Sequence, residues 1–550
     1  MSHRPFPTSV RFLIVAGLLL SSVGPRLSFF GPRLSFFGLR LSFFGPRQAD
    51  AAGPTATATA TATATVSAVA APAAVPAIPK RPEEIVFEPL AFEPPSAQSF
   101  RRVLPDGTVA YLAPSHEFPL VTVSITFKGG SSLDPADVPG LASMTARMIR
   151  EGGTTKRKPA EFDETLDFLA TEVGVSANDT FTTATMNCLK TNFDESLALF
   201  VEMLRTPGFD TGRLETSKAR VIESLKQRND DASSIIGREW KRLLYGPDHF
   251  EASEPTDTTV AAIDRDRLAA MHPRIVHPGN AIVSVSGDFA EPEMLAKLER
   301  AFTGWERSAV APGPVAPTAT LAPGLYHVPK DIPQGKVVMG CRAITRDDPD
   351  AIPLLLLNEI LGAGGFTSRL MQKVRSNEGL AYSVRSSLAP KVDYPGEFRA
   401  GFESKSATVA LATKIVLDEI ATVRKELVTE DELDTAKKSV IETFPRQFES
   451  KPAMLRVFVN DEWTKRPADY WKTFRAKVAA VTREDLQRVA AKHLDPATMA
   501  ILVVGDWDTI AKGDLQGRAT MNEFFKGAVK HLPLRDPLTL QPLPAETPTK

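Results

Sequence analysis

LETSKARVIES, Leu214 to Ser224, returns further along the chain as LDTAKKSVIET, Leu433 to Thr443, keeping Leu, Thr, Lys, Val, Ile and Glu in place. A second pair recurs at nearly the same offset. DRDRL…HPGNAIVSVSGDF, Asp264 to Phe289, returns as TREDL…LDPATMAILVVGDW, Thr482 to Trp507. Each copy reads as a helix, a Pro-containing turn, an apolar strand and a Gly-Asp stop. A repeat of this length means one folding unit used twice. The body of the chain is thus two tandem modules, 96–310 and 320–535. They are joined across 311–319 within a Pro-rich stretch and followed by a tail, 536–550.

Within each module strands come first, as in LVTVSITFKGG (Leu120 to Gly130) and KVVMGCRAI (Lys336 to Ile344), and long amphipathic helices follow. VSANDTFTTATMNCL, Val175 to Leu189, reads as one long alternating strand among them. Strands grouped with runs of helices argue for an α+β fold, each module a mostly antiparallel sheet with helices packed on one face. Two such modules in tandem can face each other as a clamshell.

Positions 1–52 carry six Arg and one Asp, +5 against the chain's −1, which leaves about −6 for the rest and no basic run to grip a phosphate backbone. Nucleic acid is excluded as a partner. The start, 1–51, has a basic n-region and an apolar core, FLIVAGLLL, too short to span a bilayer. It reads as a signal peptide interrupted by a heptapeptide repeat (GPRLSFF, GPRLSFF, GLRLSFF), with cleavage expected after Ala51. An Ala/Thr/Pro-rich linker, 52–95, follows. The protein is expected to be exported, periplasmic or secreted. Cys188 and Cys341 lie in apolar strand-like runs of different modules, and two buried thiols are expected rather than a disulfide.

GLASMTARMIREGG, Gly140 to Gly153, is an amphipathic helix with Leu141, Met144, Met148 and Ile149 on its apolar face. Ser143, Ala146 and Arg147 are set on the other face at the spacing a helix uses to present a metal site. None of the eight histidines lies three or four positions from another, so no helix carries a His pair. In the second module GGFTSRLMQKVRSNEGLAYSV, Gly364 to Val384, reads as a helix capped by Thr367 or Ser368, ended by Gly379, and followed by a strand from Leu380. Arg375 falls in the last helical turn and Tyr382 in the strand. On composition alone the former complements a helix dipole and the latter is core.

From Arg101 to Lys512 the chain resembles the pitrilysin/insulinase superfamily of zinc metallopeptidases, in particular its short two-module members similar to mitochondrial processing peptidase and to bacterial paired peptidases. The family's inverted zinc motif, H-x-x-E-H, usually stands in a frame G-L-A-H-x-x-E-H-M, which here reads GLASMTARM. The resemblance puts Ser143 and Arg147 at the two His positions and Ala146 at the general base. The third ligand falls on Glu223 or, by local pattern, Ser224. Zinc takes imidazole, thiolate or carboxylate donors, so this chain is expected to hold no zinc. Its opening helix keeps its packing and loses its chemistry. The family's Arg–Tyr frame is intact in RSNEGLAY, Arg375 to Tyr382. There the resemblance implies that the pair contacts substrate and the oxyanion in trans, at a facing zinc site. The chain then resembles the subunit lacking zinc in a heterodimer that forms half of a clamshell chamber. A homologous zinc-bearing subunit would be its partner and unfolded peptides its substrates. The other reading is a proteolytically silent peptide-binding or scaffold protein of the same fold.

Overall fold

The computed structural model describes residues 91–544, together with Arg81 and Ile85. The signal-like segment, most of the 52–95 linker and the end of the tail, 545–550, lie outside the described part.

Two six-stranded mixed sheets carry the fold. In the first half β1 (Arg101–Val103), β2 (Val109–Pro114), β3 (Leu120–Lys128), β4 (Glu172–Ala177), β5 (Phe181–Leu189) and β6 (Ala281–Gly287) take the order β1-β2-β6-β3-β5-β4. In the second, β7 (Gly324–Pro329), β8 (Gln334–Arg342), β9 (Ala381–Ala389), β10 (Glu397–Lys405), β11 (Ala500–Gly505) and β12 (Val529–His531) take the order β12-β7-β11-β8-β10-β9. The β2–β6 pair is parallel and its counterpart β7–β11 is parallel too. β3 and β8 run antiparallel to both neighbours. The sequence repeat is therefore a repeat of topology for five strands of each sheet, while the sixth differs: β1 is antiparallel to β2 and β12 parallel to β7.

One sequence reading is corrected. Val175–Leu189 is a hairpin, β4 paired antiparallel with β5, and not a single strand. The Asn178 carboxamide oxygen accepts from the N–H groups of Thr180 (2.9 Å) and Phe181 (2.8 Å), an Asx turn that reverses the chain.

The helices that matter for the site are α1 (Leu141–Glu151), α2 (Thr211–Lys226), α3 (Ala232–Tyr245) and α4 (Arg265–Ile275), then α5 (Ala351–Asn358), α6 (Glu430–Thr443), α7 (Lys451–Thr464) and α8 (Arg483–His493). Period-2 alternation sends Val121, Val123, Ile125 and Phe127 of β3 to one face, where they share a core with Leu141, Met144, Met148 and Ile149 of α1. The opposite face of this sheet is covered from the other half. Tyr111 and Ala113 of β2 and Ile282 of β6 pack against Met454, Leu455, Phe458 and Val459 of α7. The Glu462 carboxylate of α7 accepts from Tyr111 Oη (2.8 Å) and from Arg101 Nε (3.1 Å) and Nη2 (2.9 Å).

The reverse contact is made by α3. Its Ile235, Ile236, Trp240 and Leu244 join the core of the second half, and Trp240 Nε1 donates to Glu397 on β10 (2.6 Å). Ala232 and Lys451, which open α3 and α7, are separated by the same offset as Leu214 and Leu433 in the repeat. Equivalent helices are thus exchanged between the halves, and each brings a fully buried aromatic to the other half. Among the described residues no helix is long and apolar enough to cross a membrane. Cys188 on β5 and Cys341 on β8 are both buried free thiols.

Candidate functional site

Gly140, at φ +94°, turns the chain into α1. Asp134 caps that start from a distance: one oxygen accepts from Gly140 N (2.8 Å) and the other from Ala142 N (2.7 Å). Burial outweighs these two bonds and pushes the Asp134 carboxyl up to about 6. The apolar face of α1 is buried as its spacing predicts.

The other face is less uniform than the sequence suggests. Ser143 is exposed and Arg147 half-buried, and both line a cavity of about 670 Å³. Ala146 is instead 2% exposed and packed into the fold. On α2, Glu223 and Ser224 are exposed and do not line this cavity. Glu223 pairs with Lys226 (2.9 Å), one turn on.

These residues do not fit zinc. The hydroxyl of Ser143 is a poor donor, Ala146 has none to offer, and the Arg147 cation repels the ion. No carboxylate at position 146 could take a proton from a bound water.

The second half holds the other sequence-predicted residues. Ser368 does not cap the helix with its side chain, since its hydroxyl donates to Gly365 O (2.7 Å). The segment Met371–Asn377, read as α-helix, is wound as a π-helix, a form that occurs mostly in single turns and often at functional sites. Gly379 ends it at φ +64°, with its N–H on Arg375 O (3.0 Å) and that of Leu380 on Val374 O (2.9 Å). A Cβ at Gly379 would meet nothing within 4 Å, so the requirement there is the left-handed backbone alone. This reversal starts β9 at Ala381, one residue later than expected, and brings Tyr382 back beside Arg375.

The Arg375 guanidinium lies 4.4 Å from the centre of the Tyr382 ring and 4.8 Å from that of Phe366. Tyr382 is 73% exposed and Phe366 66% exposed. Neither side chain of Arg375 and Tyr382 has an ion-pair or hydrogen-bond partner among the described residues, and the exposed strand Tyr is not core. At such exposure each cation–π contact contributes roughly 0.5–1 kcal/mol. That suffices to orient the guanidinium and leaves its N–H donors free. Phe366 is the member that sequence reasoning missed. Its signal was an aromatic set in a glycine-rich loop, AGGFTS, with no apolar periodicity to bury it.

One further set of donor atoms converges, at Asp348, Asp350 and His493, within 4.8 Å of one another. Arg488 and Lys492 already hold the Asp350 carboxylate, each at 2.7 Å. That cluster ties α8 to the start of α5, and its two cations exclude a third.

Comparison with known proteins bears on the fold and the family. Residues 110–240 match the insulinase family, peptidase family M16, and residues 262–440 match the peptidase M16 inactive domain. The chain is 25% identical over 399 residues to the non-peptidase homolog YmxG of Helicobacter pylori, covering 71% of this chain and 90% of that protein. It is 23% identical over 334 residues to an uncharacterized zinc protease, YmxG, of Bacillus subtilis, covering 58% and 77% respectively. Among solved structures, a peptidase M16 inactive domain from Pseudomonas fluorescens aligns at TM-score 0.67 and 24% identity, over 74% of this chain and 97% of that one. A protease from Helicobacter pylori aligns at TM-score 0.65 and 18% identity, over 75% and 100%. At these identities the structural likenesses speak for the fold. With the two family matches and the replaced motif on α1, they make the chain a zinc-less member of the M16, or insulinase, peptidase family.

Proposed function

We propose that this chain is the non-catalytic subunit of an exported heterodimeric metallopeptidase, and that Arg375 and Tyr382 serve the zinc site of a homologous partner. One observation carries the reading. A guanidinium and a phenol are stacked together in the open, unpartnered among the described residues, while the other half of that chain cannot hold a metal. Both groups are hydrogen-bond donors. Aimed at a carbonyl oxygen as it gains negative charge, they stabilise the transition state more than the bound substrate. The partner supplies the metal; this chain supplies the donors.

The substrate is an extended, unfolded peptide that adds a strand to a sheet edge. Each sheet offers such an edge, at β4 and at β9, and β9 carries Tyr382. Backbone hydrogen bonds then provide most of the affinity, and sequence preference is loose. Export rests on the signal-like start of the sequence.

The test is reconstitution with a homologous chain that bears H-x-x-E-H. Peptide cleavage is expected only when both chains are present, with compact folded domains resistant. Cleavage by the partner alone at the same rate would leave the silent-scaffold reading in its place.

A further inference from the structure

The cavity beside α1 survives although its metal chemistry does not, and its walls suit a different ligand. Met144, Val221, Tyr245, Phe250 and Ile263 give it apolar walls, among which Ser131, Ser132, Ser253 and Thr318 add hydroxyls. The segment that joins the two halves also lines it, through Val315, Ala316, Thr318 and Ala319, and is held where His249 Nε2 meets Val315 O (2.8 Å). The His249 ring is fully engaged, because its Nδ1 accepts from Glu251 N (3.3 Å). Asp134 is engaged as well, with both oxygens on the N–H groups that open α1. Asp248 lies exposed. That leaves Arg147 as the lining cation, half-buried, with neither an ion pair nor a hydrogen bond among the described residues. Ser143, one turn earlier on the same face of α1, adds a hydroxyl roughly 5–6 Å away between Cβ atoms.

We propose that this cavity binds a carboxylate carried on an apolar body, with Arg147 as counter-ion, Ser143 as second donor and the apolar walls taking the attached side chain. A planar guanidinium donates two parallel N–H bonds to a carboxylate, and a concave pocket that combines apolar walls with placed polar groups is the ordinary form of a small-ligand site. The C-terminal residue of a peptide and a free aliphatic acid share this chemistry. The site uses this chain alone, so it stands or falls independently of any zinc-bearing partner.

Calorimetric titration of the full chain decides it, with three probes: a short peptide ending in leucine as the free acid, the same peptide as its C-terminal amide, and 4-methylpentanoate. The free acid is expected to bind about tenfold or more tighter than the amide. Arg147→Met, which keeps the apolar stem and removes the charge, should bring the acid down to the amide's affinity, while Arg147→Lys retains part of the difference. Binding of 4-methylpentanoate as tight as the acid peptide identifies a free carboxylic acid as the ligand; much weaker binding identifies a peptide terminus. Equal affinity for acid and amide would overturn the proposal, and that comparison needs no variant to fold. An unchanged affinity in an Arg147→Met chain that melts normally would overturn it as well.

Discussion

The helices α1 and α5 of the two halves each start near an aspartate and lead to different surfaces. Before α1, Asp134 is hydrogen-bonded only by backbone N–H groups, and burial outweighs these and the charge of Arg274 to push its carboxyl up to about 6. Before α5, burial would likewise raise Asp350, but hydrogen bonds from Lys492, His493 and Arg488 outweigh it and hold the carboxyl well below the usual carboxylate range. Past these starts, α1 presents Ser143 and Arg147 to a cavity, whereas α5 leads through a glycine-rich loop and a π-helix to an exposed stack of Phe366, Arg375 and Tyr382. The repeat is thus kept in the order of five strands in each sheet, and given up on the face of α1 and in the segment that follows α5. A fold held together by its core leaves such faces free to take different work.

The largest expected effect concerns what the halves share. If the exchanged helices brace one another, Phe458→Ala should cost about 3–5 kcal/mol, as for other buried aromatics. Both halves should then lose stability together in a denaturant titration. A small loss, or one confined to a single half, would mean that each half stands alone.

A smaller loss is expected from rebuilding α1. In the triple variant Ser143→His, Ala146→Glu, Arg147→His, the new carboxylate enters a position only 2% exposed, a destabilisation of about 3 kcal/mol. Stoichiometric zinc should still not bind, because Glu223 is committed to Lys226 at the surface. Elemental analysis showing one tightly held zinc per chain would contradict this picture of the first half.

The two carboxylates predict opposite pH slopes. Asp134, raised when folded, stabilises below its unfolded value near 4 and loses that contribution as pH climbs through about 6. Asp350, depressed when folded, stabilises above the unfolded value and loses it as pH falls toward its lower folded value. Thermal melts from pH 3 to 8 should show Asp134→Asn flattening the slope above pH 4 and Asp350→Asn flattening the slope below it. Slopes of the same sign would remove the contrast.

The smallest effect belongs to Phe366. Phe366→Leu removes one face of the stack, worth roughly 0.5–1 kcal/mol, and should raise KM of the reconstituted enzyme by about two- to fivefold. No change would place Phe366 outside the site.

Much of this was legible because the repeat runs along whole elements: buried Leu214 and Leu433 recur, and so do the exposed Thr216 and Glu223 as Thr435 and Glu442. The constant offset between its copies gives two modules, and the same spacing marks α3 and α7 as equivalent. Which sheet each helix covers is not in the spacing, because an amphipathic face is the same against either sheet. The failure at Ala146 has a related cause: helical spacing groups it with Ser143 and Arg147, but a small apolar residue at the border of a face goes to the core when the neighbouring layer is close. Arg375 and Tyr382 were read from a motif, not from physics, since composition alone places a strand Tyr in the core. The Asx turn that breaks the β4–β5 run was visible in Asn178-Asp179 and was hidden by the strong alternation around it.

The central claim, that the exposed pair works on a reaction in another chain, is tested most directly by Tyr382→Phe in the reconstituted complex. Losing one oxyanion donor lowers kcat by roughly 10²-fold, about 3 kcal/mol. That loss is expected with KM nearly unchanged, because the bond strengthens only as charge forms. Thermal stability should be intact, since the side chain is 73% exposed. Unaltered turnover in a folded, assembled Tyr382→Phe complex would contradict the claim.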